Sequence, residues 1–188
     1  MKNALIKAGI KILSKEGIGG LTLRKVARLA GVSHSAPYAH FADKQALIAA
    51  ISTEGFKRLH AALDSAVEAN ADDPKRQLTE GARAYVQFAM NNADAFQIMF
   101  SGVLEKERDY PSFVEISHKT FERVVDIVRA CQEAGVLRPA PPEIMAVAVW
   151  GQLHGVVSLV LEGQVSGKVL DHCDIQEIAH FALGQMMS

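Results

Sequence analysis

The sequence predicts an all-α fold, and three observations carry that expectation. Apolar residues recur at three- and four-residue spacing along nearly all of the 188 residues. No convincing period-two run offers a strand. Capping residues, glycines and prolines punctuate the periodic stretches at helix-length intervals. Together they point to a three-helix headpiece before about residue 45, a long connecting helix over 44–70, and a body of about six helices.

A first helix is expected over about residues 2–16, with Leu5, Ile6, Ala8, Ile12 and Leu13 on its buried side and Gly17 as its stop. Thr22 is placed to cap a short helix through Ala30, and Gly31 to turn the chain. Ser33 is placed to cap a further short helix ending near Phe41. Asp43 suits the N-cap of the long helix, along which Leu47, Ile51, Leu59, Leu63 and Val67 share one side. Asp73-Pro74 opens the next helix, to about Asn92, and a shorter one follows over 93–100. The charged stretch Glu105–Asp109 reads as a surface connection, and Pro111 lies near the start of a helix reaching Glu133. Pro139, Pro141 and Pro142 break the chain before a strongly apolar helix from Glu143 to about Glu162. A glycine-containing loop and Asp174 introduce the last helix.

Bulk properties narrow the partners. The net charge of −1 hides an asymmetry: residues 1–50 hold eight Lys and Arg against two Asp and Glu, and the remainder holds twelve against nineteen. A basic head on an acidic body suits a chain that presents one end to a polyanion, although a solvated charged surface reads the same way. Cys131 and Cys173 sit at no metal-type spacing and suit a reduced, cytoplasmic setting. Lys7, Lys11 and Lys15 interrupt the first apolar stretch, unlike a signal peptide. Ile144–Leu161 is the one membrane candidate. It is shorter than the roughly 20 residues a bilayer span needs and contains Gln152 and His154, so it is read as a central helix of a soluble protein with no membrane partner.

The densest pattern is LTLRKVARLAGVSHSAPYAHF, residues 21–41. Two short helices joined by a glycine turn would cross steeply, with Val26, Ala27 and Ala30 facing inward, Val32 plugging the turn and Phe41 closing the unit. That geometry is a helix-turn-helix, whose second helix projects outward where it can enter a DNA major groove. Taken alone, the pattern is shared by many helical hairpins.

The wider set of residues resembles the TetR family of bacterial repressors over about residues 4–52. The match runs through Glu16-Gly17, Leu21-Thr22, Val26-Ala27, Ala30-Gly31-Val32-Ser33, Tyr38, His40-Phe41, Lys44 and Leu47. The resemblance implies that Ser33 to Tyr38 face the groove and that Tyr38 and Lys44 hold phosphates. Those roles suit a stiff hydroxyl donor and a cation beside helix-terminal amides. His34 and Ser35 are polar residues able to meet base edges. Thr22 can aim helix-terminal amides at the backbone, and Arg24 lies near the same capped end. His40 joins the DNA-facing set, although packing or a helix-end contact also suits it; a core aromatic is the lesser alternative for Tyr38. Pro37 departs from the family, which usually has an aliphatic residue there. It lacks the N–H that would bond the Ser33 carbonyl, so the second short helix is expected to start irregularly.

The C-terminal half is similar to a subset of the family whose effector domain carries a Trp-x-x-His-Gly signature. The related string here is Trp150-Gly151-Gln152-Leu153-His154-Gly155, together with Asn92–Phe100. Trp150 and His154 share a helix face with Val147, Val157 and Leu161. With Phe88, Phe96, Met99, Phe100 and Phe113 they could line a pocket for a largely apolar small molecule, or simply form a solid core. Ala148, Gly151, Gly155 and Ser158 form a separate small-residue stripe on the same helix. With Ile175, Ile178, Ala179, Ala182 and Met186 it suggests a homodimer built on helices 143–162 and 174–187.

No catalytic constellation, cofactor motif or metal site is read. Gly17–Gly20 lacks the Lys-Ser/Thr pair of a phosphate loop, and the Asp171-His172-Cys173-Asp174 crowd reads as capping rather than as ligands. The expected protein is no enzyme. It is a ligand-responsive DNA-binding transcriptional regulator of the bacterial cytoplasm. It would act as a repressor that binds a pseudo-palindromic operator as a dimer and is released by its effector. Residues 1–45 would form the DNA-binding domain (motif 21–40) and 46–188 the effector and dimerisation domain. The alternative is an effector-independent DNA-binding architectural protein.

Overall fold

The computed structural model describes residues 1–187, and Ser188, the last residue of the expected body, lies outside them. The described residues are all-helical, with one isolated backbone bridge between Leu137 and Met187. The helices are α1 (Lys2–Gly20), α2 (Leu23–Ala30), α3 (Lys44–Glu68), α4 (Pro74–Asn91), α5 (Ala93–Met99), α6 (Pro111–Glu133), α7 (Pro142–Leu161), α8 (Gly167–Leu170) and α9 (Ile175–Gly184). Short 3₁₀ turns occupy Ala36–Ala39 and Glu107–Asp109.

Local chemistry accounts for most boundaries. Gly17 takes φ 65° and ψ −172° and kinks α1, so the expected stop is a break after which helix resumes to Gly20. Thr22 accepts the Lys25 amide at 3.2 Å, and Gly31 closes α2 at φ 70°. The Val32 amide then reaches back to the Ala27 carbonyl at 3.0 Å. Asp43 and Asp73 cap α3 and α4 through the Ala46 and Arg76 amides. Asp174 and Glu177 form a reciprocal capping box at the start of α9. The glycine-containing loop before it holds the extra turn α8.

The expected helix from Ser33 to Phe41 does not form. A single 3₁₀ turn stands in its place, and the Ser33 hydroxyl pairs with that of Ser35 at 3.2 Å instead of capping. Pro37 explains the correction. It cannot donate to the Ser33 carbonyl, which instead accepts from Ala36 at 3.1 Å, and the chain tightens to three-residue hydrogen bonds through His40.

Two compact units emerge. The first comprises Met1–Lys57 and Asn92–Ser117; the second comprises Arg58–Asn91 and, among the described residues, 118–187. In the first, Leu5 of α1, Val26 and Ala27 of α2, Leu47 and Ile51 of α3, and Phe96 of α5 are essentially fully buried. Gly9 lets α1 approach α3, since a Cβ there would lie 3.0 Å from Ile51. In the second, Leu63, Leu78, Val86, Val128, Val149, Val157 and Leu183 form the core. Cys131 belongs to that core. Its thiol donates to the Pro74 carbonyl at 3.0 Å, and burial pushes it up to about 11.

Candidate nucleic-acid interface and effector site

In the first unit, α2 and the 3₁₀ turn form a small projecting surface. Val26 and Ala27 anchor α2, and Pro37 is the buried plug of the turn. With Pro37 inward, Ser33, His34, Ser35 and His40 are exposed, and Tyr38 is 61% exposed, which sets aside a core role for its ring. Thr22 and Arg24 are exposed at the start of α2. Lys44 is placed differently: half-buried, its ammonium donates to the Ile18 carbonyl at the end of α1. Lys25 pairs with Glu16 of α1. Seven of the eight sequence-derived candidates therefore present exposed groups within one unit, and Lys44 is tethered.

The second unit holds a polar chain that sequence reasoning half found. The Trp150 indole N–H donates to the Tyr85 hydroxyl oxygen at 3.1 Å, and that oxygen lies 2.9 Å from Nδ1 of His154. Tryptophan can only donate, so Tyr85 accepts there, and its hydroxyl and the His154 ring share one further hydrogen bond whose direction follows the imidazole tautomer. Burial lowers the His154 pKa and pushes the Tyr85 phenol well above its usual value, so both groups favour their neutral forms. Phe121 stands 6.2 Å from the Trp150 ring, centroid to centroid. Tyr85 and Phe121 were not anticipated. Tyr85 had a readable signal, since it falls on the apolar face of α4 with Leu78, Ala82 and Ala89, where a buried phenol needs a partner.

The other expected pocket residues divide. Phe88 is buried in the second unit beneath the Arg58 guanidinium, 6.0 Å from its ring centre. Phe96, Met99, Phe100 and Phe113 belong to the first unit. There Phe56 of α3 gathers Phe100 at 5.4 Å and Phe113 at 5.8 Å, and Phe96 stands 4.9 Å from Phe100. Phe56 was also missed. An open groove of about 440 Å³ separates α4 from α9, floored by Ala82, Ala179 and Leu183; none of the seven expected pocket residues lines it.

Helix α7 buries Met145, Ala146, Val149, Leu153 and Val157. Its outer face leaves Ile144 66%, Val147 54% and Leu159 49% exposed. Val147, expected to point into the body with Trp150 and His154, is instead exposed beside the small residues. Ala148 and Gly151 are exposed, Gly155 and Ser158 half-buried, and a Cβ on either glycine would meet nothing within 4 Å. On α9, Phe181 is 70% exposed. By length and composition α7 could cross a membrane.

Known proteins supply a context. Residues 5–51 match the family model described as bacterial regulatory proteins, tetR family. Residues 78–184 match that of the tetracyclin repressor-like C-terminal domain. The chain is 32% identical over 96 residues to the tetracycline repressor protein class A from transposon 1721 of Escherichia coli, a match covering 51% of this chain and 43% of that protein. It therefore spans less than half the length of that relative. A Rhodococcus sp. RHA1 protein of unknown function superposes with a TM-score of 0.82 at 33% identity, over 98% of this chain and 92% of that one. The TetR family transcriptional regulator PfmR of Thermus thermophilus gives 0.77 at 22% identity, over 97% and 96%, a likeness of fold.

Proposed function

The chain belongs to the TetR family of transcriptional regulators, and on that premise we propose that it is a ligand-responsive repressor, binding a pseudo-palindromic operator as a homodimer. The observation that carries the reading is the exposed turn Ser33–His40, held out by α2 and plugged by Pro37. His34 and Ser35 would read base edges, with Ser33 and His40 at their sides. Tyr38, Thr22 and Arg24 would meet phosphates, and Lys44 would fix the α1–α3 junction from which it can also reach one. The outer face of α7, with Gly151, Gly155 and Phe181 of α9, is the proposed dimer contact; covering it makes α7 a soluble interface helix of a cytoplasmic protein. Trp150 and His154 are the proposed effector contacts, in keeping with the Trp-x-x-His-Gly subset, and the Tyr85 hydroxyl links them. A small, largely apolar effector that rearranges this chain of hydrogen bonds would release the DNA.

Selection from a random duplex library, followed by footprinting, tests the reading. An enriched inverted repeat is expected. Tyr38→Phe should weaken every enriched sequence alike, while His34→Ala should change which bases are tolerated, by about 1–3 kcal/mol per lost base contact. A library with no enriched repeat, or Tyr38→Phe altering base preference while His34→Ala does nothing, would overturn it.

A further inference from the structure

Lys7, Lys11 and Lys15 follow one another at four-residue steps on α1, and all three are exposed. Such neighbours share a helix face, and like charges there destabilise the helix. Nothing offsets them. The positions three and four residues away hold Asn3, Ala4, Ala8, Ile10, Ile12, Ser14, Ile18 and Gly19 besides the lysines themselves. The single acid of α1, Glu16, is paired with Lys25. Among the described residues none of the three lysines has an ion-pair partner. A local rule broken without compensation points to an external partner, and the charge of the row specifies a polyanion.

The geometry favours one polyanion. The Lys2 ammonium lies 6.0 Å from the ring of Phe41, the residue directly after the turn segment that ends at His40, so α1 starts beside the turn and the row leads away from it. Four residues of helix advance about 6 Å, so the row spans about 12 Å. Each strand advances one phosphate per about 3.4 Å of duplex axis, so a row laid along the axis passes three to four of them. We infer that Lys7, Lys11 and Lys15 form a second DNA contact, gripping the phosphate backbone of the duplex flanking the operator without reading its sequence. The inference rests on the DNA-binding reading above.

The test uses the full chain with all three lysines replaced by Gln, titrated against a random-sequence duplex of about 40 base pairs over a range of salt concentrations. The expected result is a fall of about 2–3 in the slope of log affinity against log salt, one contact per lysine. Thermal unfolding of the variant should occur at or above the wild-type temperature, because like-charge neighbours have gone. Tyr38→Phe serves as the parallel arm. If it weakens binding while the triple variant keeps the wild-type slope, the row is wrong and the DNA reading stands. If the wild-type chain binds no duplex, both fall. If the triple variant keeps the slope but loses binding to phosphatidylserine vesicles, the row belongs to a lipid surface and the inference is overturned.

Discussion

Gly55 and Met99 meet so closely that a Cβ on Gly55 would lie 2.3 Å from the Met99 sulfur. Two effects oppose each other in Gly55→Ala. Removing a glycine from the interior of α3 gains about 1 kcal/mol of helix propensity, whereas overpacking costs about 1–3 kcal/mol. Met99 is 6% exposed, with little room to retreat, so net destabilisation of about 1 kcal/mol is expected. A double-mutant cycle isolates the contact. Met99→Ala should cost less in the Gly55→Ala background by about 1 kcal/mol, read from urea denaturation, and strict additivity would contradict the close approach.

Tyr85→Phe removes the oxygen to which Trp150 donates and the hydrogen-bond partner of His154 Nδ1. The variant should lose about 1–3 kcal/mol of stability in urea denaturation. The ¹⁵N shifts of His154 should change, because Nδ1 loses that partner. Unchanged shifts would mean that the phenol does not pair with the imidazole.

Stability should fall on acidification. Burial holds both His60 and His154 below the ordinary value of 6.5, and at His60 the attraction of Asp64 is the smaller effect. Their folded-state pKa values are depressed, so the unfolded chain binds protons first as the pH drops. The stabilisation is complete above about pH 6.5 and is lost as the pH falls through the folded values. His60 Nε2 lies 3.2 Å from Asp64 without hydrogen-bond alignment, which offers the cation little shelter. Melting temperatures at about pH 7.5 and 5 should diverge for the wild type and diverge less for His60→Gln. An equal or larger gap in the variant would refute the assignment.

Gly151→Leu has open space in the single chain, with nothing within 4 Å of the added Cβ. The substitution should therefore leave the fold intact and break only an association through α7. Sedimentation should give a folded monomer where the wild type gives a dimer. A stable Gly151→Leu dimer would place the contact elsewhere.

Elements governed by neighbouring residues were legible in the sequence. Thr22, Asp43, Asp73 and Asp174 cap the helices they were expected to cap, because a cap depends on three or four adjacent positions. Pro37 was read as a source of irregularity, but the local rule did not reveal that the whole helix would collapse to Ala36–Ala39. Contacts across long separations were not legible. Tyr85 meets Trp150 across 65 positions, and Phe56 meets Phe100 only through tertiary packing, so helix periodicity has no bearing on either. Helix α7 was ambiguous for a different reason: it is apolar all round, and no moment distinguishes the face that buries Val149 from the face that exposes Val147.

The chain leaves the first unit at Lys57 and returns to it at Asn92. A headpiece excised at Lys57 would therefore expose Phe56 and forfeit Phe96, Phe100 and Phe113, whose rings cover or adjoin it. Interchange of DNA specificity between relatives by a single crossover would meet the same obstacle. A working chimera has to carry Asn92–Ser117 with the donor headpiece, so the module inherited as one piece in three dimensions is two pieces in the gene.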